Sequence, residues 1–173
     1  HPGTKLITGV EGGLETLFAR SQYGNDSSGG YQDFINSGRF AFPVDEDKLD
    51  ERISAGEIVL TVENDGGAAA FPLGEIGDGA VNAEVGGEAV AVFNASGGAS
   101  VAAFSRVVDG RTLNFDHLGD GLFSDKETGS SWDFAGRSVA GELAGSSLDR
   151  VNTRRSFWFA VAISFPDIEI HRP

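Results

Sequence analysis

The sequence predicts a mostly-β fold of the α+β class, in which short hairpins form an antiparallel sheet, a sandwich or a partial barrel with a buried C-terminal helix. Two observations predict it. Between Glu57 and Val139, apolar and polar residues alternate with a period of two, and Gly-containing turn sequences interrupt the alternation. A continuous apolar stretch, Phe157–Phe165, then ends at Pro166. The chain of 173 residues is long enough for one domain with a sizeable core.

The first 44 residues differ in composition from the rest of the chain. They are irregular and rich in Gly and in aromatic residues, which offer area to bury. We therefore expect residues 1–44 to be an N-terminal arm or linker packed on a single β-rich domain of residues 45–173. That domain opens with the acidic segment Asp45–Ser54, where Leu49 and Ile53 lie four residues apart. This spacing predicts a short helix of about two turns.

Four hairpins are predicted after this helix. Each consists of two strand-like segments joined by a turn sequence, and most of the turn sequences are of the kind that favours positive φ. The turns are Asn64–Gly67, Gly86–Gly87, Asp109–Gly110 and Ala135–Gly136. The paired strands are Glu57–Glu63 with Ala68–Leu73, Val81–Val85 with Glu88–Phe93, Ala99–Val108 with Arg111–Asp116, and Trp132–Phe134 with Arg137–Val139. Short strands at this spacing are typical of antiparallel sheets.

The last element fits two structures. Thr153 or Ser156 is a suitable N-cap for a helix through Phe157–Phe165, which Pro166 would end. The stretch is apolar on nearly all sides, so we expect the helix to be buried against the sheet. A fully buried strand is the alternative, because short apolar runs occur in both structures.

The chain is strongly acidic. Asp and Glu number 26 against 13 Lys and Arg, which gives a formal net charge of −13 and a pI near 4.5. Phosphate backbones and anionic lipids repel such a surface, so nucleic acid is excluded as an expected partner. A carboxylate-rich, lysine-poor composition is typical of proteins that stay soluble in strong salt, where charge repulsion is screened. It predicts a halophilic prokaryotic source such as an archaeon.

Several features bear on location. No apolar run approaches the roughly 18 residues that a membrane-spanning helix needs. The sequons at Asn25 and Asn94 lie in Gly- and Ser-rich stretches that would expose a glycan. Together with the absence of Cys, they favour a glycosylated protein that is secreted or lies at the cell surface. The chain does not begin with Met, so a signal peptide, an anchor or a related unit upstream stays open.

One group of polar residues is a candidate structural lock or ligand pocket: Arg106, Asp125, Thr128, Ser130 and Trp132. A bidentate bond between the Arg106 guanidinium and the Asp125 carboxylate would fix two segments to each other. Thr128 and Ser130 would satisfy the remaining lone pairs or cap the turn. In the first interpretation this turn presents Trp132 to the core, and in the second these groups line a pocket beside Trp132.

A second group would suit a metal ion. It gathers four carboxylates and one imidazole on a Gly-rich loop: Asp116, His117, Asp120, Asp125 and Glu127. Ca²⁺ is the ion this set fits, because it takes about six to eight oxygen ligands and tolerates loop geometry. The EF-hand spacing is absent and the ligand pattern is incomplete, so we expect a solvated acidic loop without a bound cofactor, and a Ca²⁺ site is the alternative. No other cofactor and no catalytic residue is predicted, because G-x-G-x-x-G, P-loop and G-x-S-x-G sequences do not occur.

Several segments carry a family resemblance. The most specific is D-K-E-T-G-S-S-W at Asp125–Trp132. The others are Ala70–Leu73, Val81–Asn82, Val85–Gly87, Ala103–Arg106, Val108–Phe115, Gly141–Gly145, Phe157–Ala160 and Phe165–Asp167. On these residues the chain resembles the prokaryotic domain-of-unknown-function family numbered 3179, as a C-terminal unit of such a protein. The family's function is not established, so the resemblance implies a fold and a location outside the cytoplasm, not a reaction.

Taken together, the residues favour a non-catalytic, extracytoplasmic binding or assembly module. Its expected partner is a protein, or further copies of the chain at the cell surface. The alternative is a metal-dependent enzyme or metal-handling accessory domain that uses Arg106, Asp116, His117 and Asp125. An active site would bring His117 and Asp125 together in a concave pocket. An assembly module would instead show an apolar face or an arm with no counterpart inside its own domain.

Overall fold

The computed structural model describes residues 28–41 and 43–173, and the chain divides into two units at Val44 and Asp45. In the first unit, helix α1 spans Ser28–Asn36. Gly38 follows the helix, and its positive φ of 74° is typical of a residue just after a helix end. The sequence predicted that residues 1–44 are irregular, and this helix shows that the prediction is wrong for Ser28–Asn36. The helix was missed because it opens on two Gly residues, which are poor helix formers. That the arm packs on the domain stays a prediction.

The helix predicted over Asp45–Ser54 is wrong. Only a 3₁₀ turn forms, at Glu46–Lys48, and Leu49 after it is extended. The next turn uses a side chain instead of the helical ladder, because the backbone N–H of Arg52 donates to Asp50 Oδ1 at 2.9 Å. Such local side-chain bonds compete with helix formation.

Residues 45–173 form a mostly-β structure with antiparallel sheets and no closed barrel, which confirms the predicted fold class. The strands are β1 (Ile58–Asn64), β2 (Gly67–Pro72), β3 (Gly79–Val85), β4 (Glu88–Ala95), β5 (Ser100–Ser105), β6 (Val107–Val108), β7 (Arg111–Thr112), β8 (Phe115–Gly119), β9 (Leu122–Asp125), β10 (Ser131–Asp133), β11 (Ser138–Ala140), β12 (Thr153–Phe157) and β13 (Glu169–Ile170). The helices of this unit are α2 (Leu73–Ile76) and α3 (Trp158–Ser164).

These strands form three larger sheets and the small hairpin β6-β7. We call the order β12-β1-β2-β13 the first sheet, β3-β4-β5 the central sheet, and β11-β10-β9-β8 the motif sheet. Neighbouring strands pair antiparallel except β13, which runs parallel to β2.

The sheets stack in layers, as alternate residues of single strands show. In β4, Val90 and Val92 belong to the hydrophobic cluster shared with the first sheet, whereas Ala91 and Phe93 belong to the cluster shared with the motif sheet. In β1, the faces divide in the same way between the central sheet and α3. The central sheet is therefore buried on both faces, which is why β4 carries consecutive apolar residues.

All four predicted turns join strands, and one further hairpin was missed. The loop predicted around Asp120 is the β8–β9 hairpin, whose turn residues Asp120 and Gly121 have φ of 51° and 71°. Both central residues at positive φ are typical of a two-residue hairpin turn. The strand predicted over Ala99–Val108 is also wrong in one respect, because it breaks at Arg106 into β5 and β6.

The C-terminal helix is confirmed, but its predicted caps are wrong. Thr153 and Ser156 lie in β12, and α3 begins at Trp158. No side chain caps it, because backbone carbonyls accept its first N–H groups: Trp158 N donates to Glu57 O at 2.8 Å and Phe159 N donates to Ala55 O at 3.1 Å. Within the described residues, no helix is long and apolar enough to cross a membrane.

Candidate functional site

The family-specific motif forms the β9–β10 turn. Asp125 ends β9, and its N–H donates to Ser130 O at 3.1 Å, while Gly129 N donates back to Asp125 O at 3.1 Å. Gly129 has a φ of 67°, which favours Gly. The chain therefore reverses within the motif, and Trp132 enters β10 facing the core.

The Asp125 carboxylate is the centre of this turn. Oδ2 accepts hydrogen bonds from Trp132 Nε1 and Thr128 Oγ1, both at 2.9 Å, and Oδ1 accepts one from Thr128 N at 2.6 Å. Only 2% of Asp125 is exposed. Burial raises the pKa of Asp125, but the hydrogen bonds from Trp132 and Thr128 outweigh burial, so the pKa lies below its ordinary value. The group is thus a buried, ionised hydrogen-bond acceptor.

Ser130 connects this turn to the loop after β11. Its hydroxyl lies 2.7 Å from Thr128 Oγ1 and accepts a hydrogen bond from Leu143 N at 3.0 Å. Gly141 packs so closely on it that a Cβ at position 141 would lie 2.6 Å from Ser130 Cα. Ser130 is fully buried, so its hydroxyl has no path to a substrate.

Trp132 lies in an aromatic cluster between the motif and central sheets. It is fully buried and meets Phe115 edge to face, with ring centroids 5.7 Å apart. Phe93 of the central sheet stacks on Phe123 of the motif sheet at 3.8 Å. The turn thus presents Trp132 to the core, as in the first of the two interpretations offered above.

The predicted Arg106–Asp125 pair does not form. Arg106 donates to the backbone carbonyls of Ala83 and Leu113 and to Asn114 Oδ1, at 2.7–3.1 Å. Burial lowers the pKa of Arg106 below its ordinary value. Asn114 in turn donates through its backbone N and its Nδ2 to the Glu127 carboxylate, at 2.7 and 2.8 Å. Arg106 therefore joins β3 to the loop before β8, and Asp125 takes its partners from its own turn.

The residues predicted as metal ligands are not gathered. Within the described residues, no three His, Asp or Glu side chains are placed to hold a metal ion. Asp116 pairs with Lys126 at 3.2 Å, and the carboxylates of Asp125 and Glu127 are engaged as above. His117 packs against Phe123 at 5.2 Å, and its buried Nε2 has no hydrogen-bond partner among the described residues. The Asp125 carboxylate bonds to Thr128 and Trp132, so the described hydrogen bonds do not join it to His117.

The two predicted glycosylation sites have different outcomes. Asn25 lies outside the described residues. Asn94 is fully buried, and its Nδ2, the atom a glycan would be attached to, donates to Leu73 O at 3.1 Å and to Gly77 O at 2.7 Å. The folded protein therefore cannot carry a glycan at Asn94. This Asn ties β4 to both ends of α2.

A cleft of about 320 Å³ lies elsewhere, between the ends of β1 and β4 and the segment that leads into β12. Its lining is mainly polar: Val62, Glu63, Asn64, Asp65, Glu88, Arg150, Val151 and Asn152. Asn64 holds the neighbouring hairpin turns together, because its Nδ2 donates to Val85 O at 2.7 Å while its Oδ1 accepts from Gly66 N and Gly67 N. The cleft therefore rests on a fixed junction of two sheets.

A family model described as a protein of unknown function, DUF3179, matches residues 1–168. The chain belongs to the DUF3179 family. The resemblance drawn from the sequence is thereby confirmed over nearly the whole chain. Comparison with curated proteins and with solved structures finds no match. The match includes the turn around Asp125, whose carboxylate accepts its described hydrogen bonds from Thr128 and Trp132 within the fold.

Three asparagines join separate elements of the fold, a role that the sequence patterns did not predict. Asn82 donates to Phe115 O at 2.9 Å and accepts from Phe115 N at 2.8 Å, so it connects β3 to β8 as a strand partner would. Asn64 and Asn94 make the comparable bonds described above. A signal was present, since Asn82 and Asn94 each have small or apolar residues as their immediate neighbours in a strand. A buried amide in such a position must find partners.

Proposed function

We propose that residues 45–173 form a non-catalytic binding or assembly module and that the DUF3179 motif stabilises its fold. The observation that carries this proposal is that the buried polar groups of the motif form hydrogen bonds with one another. Both Asp125 oxygens accept hydrogen bonds from the same turn, and the Thr128 and Ser130 hydroxyls contact each other. A general acid, base or nucleophile must face its substrate. These groups face the core.

The cleft is the place we propose for binding. It is polar and open to solvent. Its walls are residues 62–65, 88 and 150–152, which include no residue of the motif. Fixed walls favour binding, since a preformed site loses little entropy when a ligand enters. The hydrogen bonds of Asn64 to Val85, Gly66 and Gly67 hold the walls in this way.

Selection of ligands by the intact chain tests this proposal. A displayed library of random peptides is panned against the full chain, and amide NMR shifts then locate each enriched peptide. We expect the shifts to change around the cleft and not at residues 125–132. A ligand that instead perturbs Asp125, Ser130 and Trp132 directly would overturn the assignment of the motif to stability.

We also propose that the protein works outside the cytoplasm of a halophilic prokaryote. The support for a halophilic source is the net charge of −13, because such a surface repels itself in dilute buffer and is screened at high ionic strength. The location outside the cytoplasm rests on the absence of Cys from the sequence. The midpoint of thermal unfolding should rise between about 0.1 M and about 2 M KCl, where the Debye length falls from about 10 Å to less than about 3 Å. A midpoint that is flat or falls with KCl contradicts the halophilic assignment.

A further inference from the structure

The chain contains four Asp–Gly steps, which begin at Asp65, Asp78, Asp109 and Asp120. An Asp–Gly step is prone to succinimide formation, because Gly has no Cβ to shield its amide nitrogen from the Asp carboxyl carbon. Ring closure requires this nitrogen and this carbon to meet, so a hydrogen bond that holds either group resists it. The four steps share one dipeptide, and differences in their reactivity must therefore come mainly from the fold.

Two of the steps are held by hydrogen bonds. After Asp65, the backbone N–H of Gly66 donates to Asn64 Oδ1 at 3.0 Å, so the attacking nitrogen is engaged. At Asp78 the carboxylate is engaged instead, because its Oδ1 accepts a hydrogen bond from Gly97 N at 2.8 Å. Ring closure at either step must first break the bond in question, which makes both steps slow in the folded chain.

The other two steps form the tips of hairpins. Asp109 and Asp120 are exposed, and their φ angles are 50° and 51°. A left-handed conformation is strained for a residue with a Cβ, so leaving it costs less than leaving a relaxed turn. Among the described residues, no hydrogen bond involves either carboxylate or the N–H of the glycine that follows it. Neither the nitrogen nor the carbon is held at these steps.

The hairpin of Asp109 is the weaker of the two. β6 and β7 pair at only two positions, and three of their four residues are exposed. The hairpin of Asp120 pairs at four positions and includes two phenylalanines that are at most 1% exposed. Few paired residues and little buried area mean a low free energy of local opening. The opening at Asp109 is confined to the tip, because Leu113 N donates to Arg106 O at 2.8 Å below it.

We infer that Asp109 is a modification site, at which aspartate isomerises spontaneously to isoaspartate. The Gly110 amide nitrogen attacks Cγ of the protonated Asp109 side chain, and the carboxyl hydroxyl leaves as water with the amide proton. Water then adds to the main-chain carbonyl carbon of the imide, and the bond from that carbon to nitrogen breaks. The chain then runs through Cβ and Cγ, with a free α-carboxylate and an unchanged elemental composition. This inference is independent of the proposed binding function.

Ageing of the full chain tests the inference. The chain is kept for several weeks at neutral pH and at a salt concentration at which it is folded, and its peptides are then mapped by mass spectrometry. A protease that cuts before Asp identifies isoaspartate, because it does not cut there. We expect isoaspartate at Asp109 to accumulate at least about tenfold faster than at Asp65 or Asp78, and at least about threefold faster than at Asp120. Equal rates at the four steps, or a faster rate at Asp65 or Asp78, would overturn the inference.

The unfolded chain separates the effect of the fold from that of the local sequence. In concentrated guanidinium chloride the four rates should agree within about threefold, since each step is Asp–Gly and no turn holds it. A preference for Asp109 that persists there would overturn the argument from the hairpin. Asp109→Glu is the matched variant, because a longer side chain does not form the five-membered ring. It should abolish the product in this peptide and leave the rate at Asp120 within about twofold. A product that persists in this peptide would overturn the assignment.

Discussion

The Asp125–Trp132 turn and the β12 edge use polar residues in opposite ways. In the turn, a carboxylate, two hydroxyls and an indole N–H satisfy one another in the core. At the edge, Arg150 and Arg155 face solvent and form no ion pair within the described residues, and β12 is the last strand of the first sheet. The turn contains the sequence on which the family resemblance mainly rests, and the edge contains the exposed arginines. The polar groups of the turn are therefore committed to the fold, whereas the two arginines keep their charges available at the surface.

The largest expected effect comes from removing the side chain that the turn presents. Trp132→Ala would leave a cavity among Phe115, Phe123 and their neighbours. It would also remove the hydrogen bond that the indole N–H donates to the Asp125 carboxylate. We expect the free energy of unfolding to fall by about 3–5 kcal/mol, measured by urea denaturation. Val139→Ala, at a residue 54% exposed on β11, is the control and should change it by less than about 0.5 kcal/mol. Similar losses for the two would contradict the role assigned to the turn.

The next effect depends on pH. Asp125→Asn replaces an acceptor of three hydrogen bonds by an amide, and we expect a loss of about 2–3 kcal/mol at neutral pH. Since the pKa of Asp125 is lower in the folded state than its unfolded value of about 3.9, its contribution is full above about pH 4 and is lost as pH falls through the folded pKa. The gap between the two proteins should therefore be constant from pH 7 to pH 5 and narrow in more acidic buffer.

Urea unfolding at a series of pH values measures that gap. Asp116→Asn is the matched control, because its carboxylate is 57% exposed and pairs with Lys126 at the surface. A gap for Asp125→Asn that widens on acidification would show that the sign of the pKa shift is wrong.

A pair of glycines isolates the contact behind the turn. Gly141 and Gly145 both have positive φ, of 97° and 91°, so Ala at either position is strained. Only at position 141 would the new Cβ overlap Ser130, since nothing lies within 4 Å at position 145. Gly141→Ala should therefore cost about 1–3 kcal/mol more than Gly145→Ala in the free energy of unfolding. Equal losses in the free energy of unfolding would show that the loop around Gly141 moves to accept the new Cβ and that Ser130 is not tightly packed.

The smallest effect is expected at the edge. Arg155→Glu should change the free energy of unfolding by less than about 0.5 kcal/mol, because its side chain is exposed and forms no ion pair in the domain. The same urea measurement on Lys48→Glu gives the comparison. A loss above about 1 kcal/mol for Arg155→Glu alone would mean that this arginine belongs to the fold, and the contrast between the two regions would disappear.

Local sequence patterns predicted the hairpins because their turns depend on adjacent residues. Asp109–Gly110 needs only two positive φ angles, and Gly supplies one of them freely. Patterns failed where the partner is distant in the chain. Thr153 and Ser156 look like helix caps, yet carbonyls of residues 55 and 57 satisfy the helix. Arg106 looked like a partner for Asp125, yet backbone carbonyls, which have no sequence signature, accept its hydrogen bonds. The β8–β9 hairpin was missed because its acidic residues suggested a ligand loop.

The stretch before and through β12 has one further consequence. Residues 149–151 pair with β5, through Ser105 N to Asp149 O and Val151 N to Ala103 O, and the chain then crosses to pair with β1. One short segment thus pairs with an edge of the central sheet and continues as a strand of the first sheet. If it peeled away, β5 and β1 would be bared together, each with strongly apolar neighbours. Substitutions that loosen this segment should therefore expose both sheets together and promote aggregation on heating.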